Sequence, residues 1–407
     1  MQMFFKDSAP ADHANAVERS DSLSDRRRSA APVLVLCCVA AVAAAVVAAV
    51  FGARATVRRG GVIDRSKHQD VTESAGVESL QVDDSWRLLD RFEERVGESI
   101  AAARMSTLAL EYTPAGPSGN AVRRVATGIV LNDSGDVLSI RIDAPPPGAP
   151  VVARDADGRA RSTRWLAADH DTGLTLLRVD ESSGLRPVRS ATRAAVLGMS
   201  VFVVGNPFGL GQSVSRGHVA GLNRHVRIGH SKLGALIQLD VPLRPGDNGA
   251  LVANLRGEWL GQIRGVLSPA DPPTADDKKP GVGFAIKADD AAWVADQLRV
   301  NRKVDRAYLG VRLLFEPNPK AQGAIISEVI ADGPAAKAGL KPGDRVVAAL
   351  GQPIVDPQSL IDVLDRTVAR SVVPLELDRD GAAQSARVET ANRPVETNGD
   401  RNPIKKP

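Results

Sequence analysis

Cysteine is nearly absent from this 407-residue chain: Cys37 and Cys38 are the only two, and they are adjacent in an apolar run. Neighbouring cysteines of this kind neither staple a fold nor make a zinc set. Aromatic residues make up 3%, so the core is expected to be mainly aliphatic and an aromatic stacking platform for nucleic acid is excluded. Excess charge of one sign is also missing. The 52 Lys and Arg against 48 Asp and Glu leave a net charge of +4, too mild for a nucleic-acid footprint. No H-E-x-x-H, no Walker loop and no G-x-G-x-x-G after a strand occurs, so neither metal nor cofactor is expected.

What is present is ordinary for globular domains: 43% apolar and 25% charged residues. That composition excludes wholesale disorder, collagen and a polytopic membrane protein. At ~150 residues per domain, the length predicts two or three domains. Long apolar runs are limited to residues 33–51, VLVLCCVAAVAAAVVAAVF. This uncharged run is long enough for one membrane-spanning helix. Arg26, Arg27 and Arg28 precede it, and Arg54, Arg58 and Arg59 follow it. An uncleaved anchor over 32–53 is the expectation, with the N-terminus cytoplasmic and the main domains outside. A cleaved signal ending near Ala53-Arg54-Ala55 and a buried helix are its rivals.

The flanking segments 1–31 and 54–83 are polar and read as a tail and a linker. From Asp84, the residues Trp86, Leu89, Phe92, Val96 and Ile100 follow helical spacing. From Val122 the texture changes to short apolar runs broken by Gly, Asp and Pro, among them ATGIVL (126–131), LTLLRV (174–179), SVFVVG (200–205) and ALIQLDV (235–241). Many short strands separated by turn signals predict a barrel or a sandwich. Residues 269–281 read as a Pro-rich surface loop and 289–301 as a helix. A second unit runs from Tyr308 to about Thr390, followed by a polar tail over 391–407.

Several stretches resemble the HtrA (DegP-like) serine proteases: VVGNPFGLGQSVSRGHVAGLNR (203–224), IQLDVPLRPGDNGALVANLRGEWLGQI (237–263), GVGFAIKADD (281–290), YLGV (308–311) and GAIISEVIADGPAAKAGLKPGDRVVAALGQPI (323–354). The resemblance covers roughly residues 85–390. It implies a mainly β, trypsin-like double barrel over 84–303, then an α+β PDZ domain over 304–390, outside the cytoplasm and behind one N-terminal transmembrane helix. It also implies trimers or assembly with an active relative.

The resemblance breaks at the catalytic positions. Hydrolysis by this machinery needs a Ser nucleophile, a His base and an Asp that orients the His. The nucleophile loop here is Gly246-Asp247-Asn248-Gly249-Ala250-Leu251, which places Asn248 where the Ser belongs. Matching ATGIVLNDSGDVLSIRID without a gap puts Ile142 at the His position, and TGLTLLR (172–178) puts Gly173 at the Asp position. A carboxamide nitrogen does not form an acyl-enzyme. Gly246, Asp247 and Asn248 then remain as an oxyanion loop without a nucleophile. The candidate substitute groups are His170 and Asp171, His218, His225 and His230, and Ser213, Ser215 and Ser231. None has spacing that imposes proximity to Asn248, and surface loops and strand ends account for them.

The PDZ stretch keeps its chemistry. Such a domain adds a peptide C-terminus to a sheet edge and holds the carboxylate with convergent N–H groups. The resemblance assigns Leu309, Gly310 and Val311 to the carboxylate loop and Arg312 to Phe315, with Leu313, to the pairing strand. A helix opened by Asp356-Pro357 would form the other wall, with Leu360, Ile361, Leu364 and Val368 shared between core and groove. The expectation is a pseudoprotease that binds protein C-termini or unfolded segments in extracytoplasmic quality control. An active endopeptidase with a relocated triad and a holdase chaperone are the alternatives.

Overall fold

The computed structural model describes residues 72–114, 123–140, 142, 151–228, 231–267, 281–315 and 322–394. The expected transmembrane helix over 32–53, the tail 1–31, His230, most of the loop 269–281 and the end of the C-terminal tail lie outside the described residues. Among the described residues no helix is long and apolar enough to cross a membrane.

Helix α1 (Thr72–Arg104) leads in. It starts within the 54–83 segment expected to be a linker. The first barrel closes in the order β1-β2-β3-β6-β5-β4, from β1 (Thr107–Tyr112), β2 (Arg124–Val130), β3 (Asp136–Ile140), β4 (Val151–Arg154), β5 (Ala160–Ala168) and β6 (Leu174–Val179). Its inward residues, Leu108, Leu110, Val130, Val137, Val151 and Leu177, are fully buried aliphatics. The scarcity of aromatics thus appears directly in the core.

The second sheet runs β11-β8-β9-β10-β13-β12-β7 and closes through the β11–β12 pairing. Its members are β7 (Arg189–Ser190), β8 (Ser200–Gly205), β9 (Ser213–Ile228), β10 (Ser231–Asp240), β11 (Leu251–Asn254), β12 (Glu258–Leu267) and β13 (Val282–Lys287). Two antiparallel barrels therefore stand where the sequence left barrel and sandwich open. Helix α2 (Ala288–Asn301) follows and buries Ala291, Val294, Ala295 and Leu298 against the barrels.

The remaining elements are β14 (Ala307–Tyr308), β15 (Val311–Leu313), β16 (Ala324–Val329), α3 (Pro334–Lys337), β17 (Arg345–Ala349), β18 (Gln352–Pro353), α4 (Pro357–Asp365), β19 (Val372–Arg379), β20 (Ala382–Glu389) and β21 (Ala391–Asn392). The main sheet runs β15-β16-β17-β19-β20, which leaves β15 as an edge. The tail expected from Ala391 begins with an ordered strand: β21 pairs with β14, and Arg393 is ion-paired with Asp365. Polar composition concealed this strand, because its ladder bonds come from backbone groups.

Helix α4 begins as the sequence predicted. Asp356 accepts the Ser359 N–H, Ser359 reciprocates at the Asp356 N–H, and Pro357 takes the first turn. Its apolar stripe faces inward. Leu360 is 0% exposed and Leu364 8%, both inside the core of this domain. That corrects their expected place on a groove wall: residues four apart share the helix face turned to the sheet. Val368 lies beyond the helix end.

Truncation and cap removal separate by magnitude here. Leu360→Ala should cost about 2–5 kcal/mol, whereas Asp356→Ala should cost about 1 kcal/mol. Urea unfolding midpoints at constant slope measure both.

Candidate functional site

The turn after β10 is built by glycine and backbone bonds. Gly246 has φ +104, and a Cβ there would sit 2.1 Å from the Asn206 carbonyl oxygen. Gly249 has φ +81, and a Cβ there would meet the Thr127 carbonyl oxygen at 2.2 Å. Only glycine satisfies both the left-handed backbone and the close approach. The Thr127 N–H donates to the Asn248 carbonyl at 2.9 Å, and the Thr127 hydroxyl donates to the Gly246 carbonyl at 3.1 Å. The Gly249 N–H donates to the Ile263 carbonyl at 2.8 Å, and the buried Gln262 amide bridges the Gly249 and Leu138 carbonyls.

These bonds fix Asn248 at the apex of the turn with its side chain exposed. The N–H groups of Gly246 and Asn248 have no acceptor among the described residues. The Asp247 carboxylate turns inward and accepts the Arg244 N–H at 2.8 Å. Burial pushes its carboxyl up, against the opposing effect of that bond and of the Arg244 charge. Next to the turn, Arg264 is 1% exposed at a bulge in β12 and donates to the Ser231 hydroxyl at 3.2 Å.

The other two sequence-assigned positions also meet. The β3–β6 register sets Ile140 opposite Leu174. The Thr175 hydroxyl lies 3.3 Å from the Ile142 carbonyl and 3.5 Å from the Gly173 carbonyl. Ile142 is 1% exposed and packs in the first barrel's core. Gly173 has φ +75. No histidine of the described residues bonds a serine. His170 is exposed beside Asp171, His218 is exposed, and His225 contacts Asp362 of α4 at 3.1 Å.

In the PDZ stretch, the Leu309 carbonyl accepts the Ala335 N–H and the Gly310 carbonyl accepts the Ile330 N–H. The Leu309 carbonyl is thus turned to α3 and the Gly310 carbonyl to the residue after β16, and the Leu309 and Gly310 N–H groups have no acceptor among the described residues. Gly310 has φ +74, the left-handed step that makes a concave N–H nest. Val311 and Leu313 then form the half-buried edge strand β15.

Sequence reasoning missed what joins these two parts. Asp169, in the turn carrying Gly173, makes a bidentate pair with Arg306 at 2.8 and 2.7 Å. Both side chains are about 95% buried, and the guanidinium lies 5.9 Å from the Trp293 ring centroid. Burial would raise the Asp169 carboxyl, but the Arg306 hydrogen bonds and charge, with Thr172, hold it below its ordinary value. Arg306 also reaches Asp171, and Arg393 ties Asp171 to Asp365. The partners lie far apart in the chain, so no local signal announces them.

Arg306→Ala leaves a buried carboxylate unpaired and should cost about 3–5 kcal/mol near neutral pH. A lowered carboxyl stabilises above its unfolded value of 3.8 and loses that contribution as pH falls through the folded value. The two proteins' unfolding free energies should therefore converge below about pH 4, as denaturant titrations across pH would show.

Comparison with known proteins agrees with this layout. Residues 126–261 match the trypsin-like peptidase domain, and residues 307–390 match the PDZ domain. A probable periplasmic serine endoprotease, DegP-like, of Halomonas elongata is 28% identical over 298 residues, covering 70% of this chain and 60% of that protein. Its counterpart in Pseudomonas savastanoi pv. phaseolicola is 29% identical, covering 67% of this chain and 57% of that protein. The chain thus spans about 60% of the length of such relatives. The solved HtrA-type protease AlgW with tripeptide has TM-score 0.61 at 22% identity, covering 74% of this chain and 98% of that one; this likeness concerns the fold. Barrels, edge strand and matches together give a trypsin-like peptidase domain followed by a PDZ domain, in an arrangement similar to the DegP-like and HtrA-type serine proteases.

Proposed function

We propose that this protein is a pseudoprotease that captures protein C-termini or unfolded segments in extracytoplasmic quality control. The observation that carries the reading is Asn248 at the apex of the turn, with no histidine of the described residues bonded to a serine. Ile142 and Gly173 supply neither a base nor an orienting carboxylate. Loss of one triad member already leaves only about 10³–10⁴-fold catalysis over water. The backbone donors at Gly246 and Asn248 can polarise a carbonyl, but no group attacks it.

Binding falls to the PDZ domain. A peptide laid along β15 adds a strand, and its terminal carboxylate meets the Leu309 and Gly310 N–H groups, with Val311 opening the strand. Leu313 on the strand and Ile361 on α4 favour an apolar final residue. The relatives' printed names support a periplasmic setting. The uncharged run 33–51 supplies the proposed membrane anchor, and a homotrimer or an assembly with an active HtrA relative is the proposed higher-order state.

Two measurements test this reading. The full chain should show no fluorophosphonate labelling and no casein cleavage. Asn248→Ser alone should stay silent too, because Ile142 cannot take the proton. Labelling of one serine in the unaltered chain overturns the proposal. Peptides ending in an apolar residue should bind, and amidating their C-terminus should cost about 1.5–3 kcal/mol, roughly tenfold to a hundredfold in affinity.

A further inference from the structure

Strand β15 runs past the core it helps to cover. Val311 and Leu313 pack on the core of the PDZ domain, while Arg312 between them is exposed and ion-paired with Glu328 at 3.3 Å. Phe315 is the next residue of the Val311–Leu313 parity, and it is 63% exposed. The chain still follows β16 here, since the Leu314 N–H donates to the Ile325 carbonyl at 2.9 Å. Val355, the residue before the cap of α4, borders the same end of the sheet. Its carbonyl accepts the Gly323 N–H, just before β16, at 3.0 Å, and it is 52% exposed. Two large apolar side chains are thus left in water where the groove between β15 and α4 opens.

Backbone parity says which part of a ligand covers them. Backbone groups of alternate residues in an antiparallel strand turn to opposite neighbours. Arg312 and Leu314 turn theirs to β16: the Arg312 carbonyl accepts the Ser327 hydroxyl at 3.1 Å, and Leu314 bonds Ile325. Val311, Leu313 and Phe315 therefore offer theirs at the open edge. A peptide with its carboxylate at the Leu309 and Gly310 N–H groups, antiparallel to β15, sets its last residue beside Val311. Its third residue from the end then lies beside Leu313, and its fifth beside Phe315. Side chains directly opposite one another share a sheet face. The fifth residue from the end thus projects on the face of Phe315, and the penultimate one on the solvated face of Arg312. We propose, resting on the peptide-capture reading, that Phe315 and Val355 form a second apolar subsite for a large aliphatic or aromatic side chain five residues from the ligand's C-terminus. The ligand class is then a C-terminal segment with two apolar residues four positions apart. A basic residue at that place finds only the Asp356 carboxylate, which already caps α4 through the Ser359 N–H at 2.7 Å.

Binding of N-terminally labelled octapeptides to the full chain in mild detergent tests this. The peptides consist of glycine and serine and end in leucine. Replacing serine by leucine at the fifth position from the end should tighten binding about tenfold. The same replacement at the penultimate position should give a far smaller gain. Phe315→Ser should remove the fifth-position gain and leave the affinity for the serine-containing peptide unchanged, which also reports that the variant is folded. Phe315→Leu should keep the gain. Equal affinity for leucine and serine at the fifth position in the unaltered chain overturns the proposal, and so does a gain that survives Phe315→Ser. A chain that binds none of these leucine-ended peptides overturns the peptide-capture reading itself, and this subsite with it.

Discussion

A single buried ion pair, Asp169 with Arg306, sets the relation between the barrels and the peptide-binding domain. Isolated charges are costly inside a protein, and a pair persists only when the geometry is good and the remaining hydrogen-bonding capacity is used. Here both conditions hold. The contact is bidentate, Thr172 takes a further lone pair of Asp169, and the guanidinium lies near the Trp293 ring. The same arginine stands where the chain enters the PDZ domain, one residue before β14, and its carbonyl accepts the Arg393 N–H next to β21. Both ends of the domain are therefore gathered at one charge. Two further contacts tie the PDZ domain to the rest: His225 of β9 with Asp362 of α4, and Asp290 of α2 with Arg366 at the end of α4.

The loop that bears this pair also bears Gly173. The same turn presents the Asp169 carboxylate to an arginine, four residues before Gly173. Its orientation is fixed by Thr172 and by the backbone bond from Gly173 to Asp169. The turn at Asn248 makes a parallel point. Its shape comes from Gly246, Gly249, Thr127 and Gln262, none of which is a nucleophile or a base.

Much of this was legible in the sequence, and for identifiable reasons. Short apolar runs between turn residues gave the strands, and Asp356-Pro357 gave the start of α4 with its cap, because caps and alternation are local effects. The nest at Leu309–Gly310 followed from resemblance, and the left-handed glycine accounts for it physically. Three things were not legible. The Asp169–Arg306 pair depends on tertiary approach between distant segments. Strand β21 is polar, and only its backbone reveals it. Leu360 and Leu364 obey helical spacing equally well in a core or along a groove, so periodicity alone could not place them.

Ile142 carries an implication of its own. Its side chain is buried in a mainly aliphatic cluster, while its carbonyl accepts from the Trp165 indole and the Thr175 hydroxyl. An imidazole introduced there would enter hydrocarbon with no carboxylate waiting, because the neighbouring glycine sits at a backbone angle that branched or charged side chains adopt only under strain. Histidine at position 142 would therefore cost packing stability before it could serve any chemistry. Packing, before any chemistry, constrains which residues this position accepts.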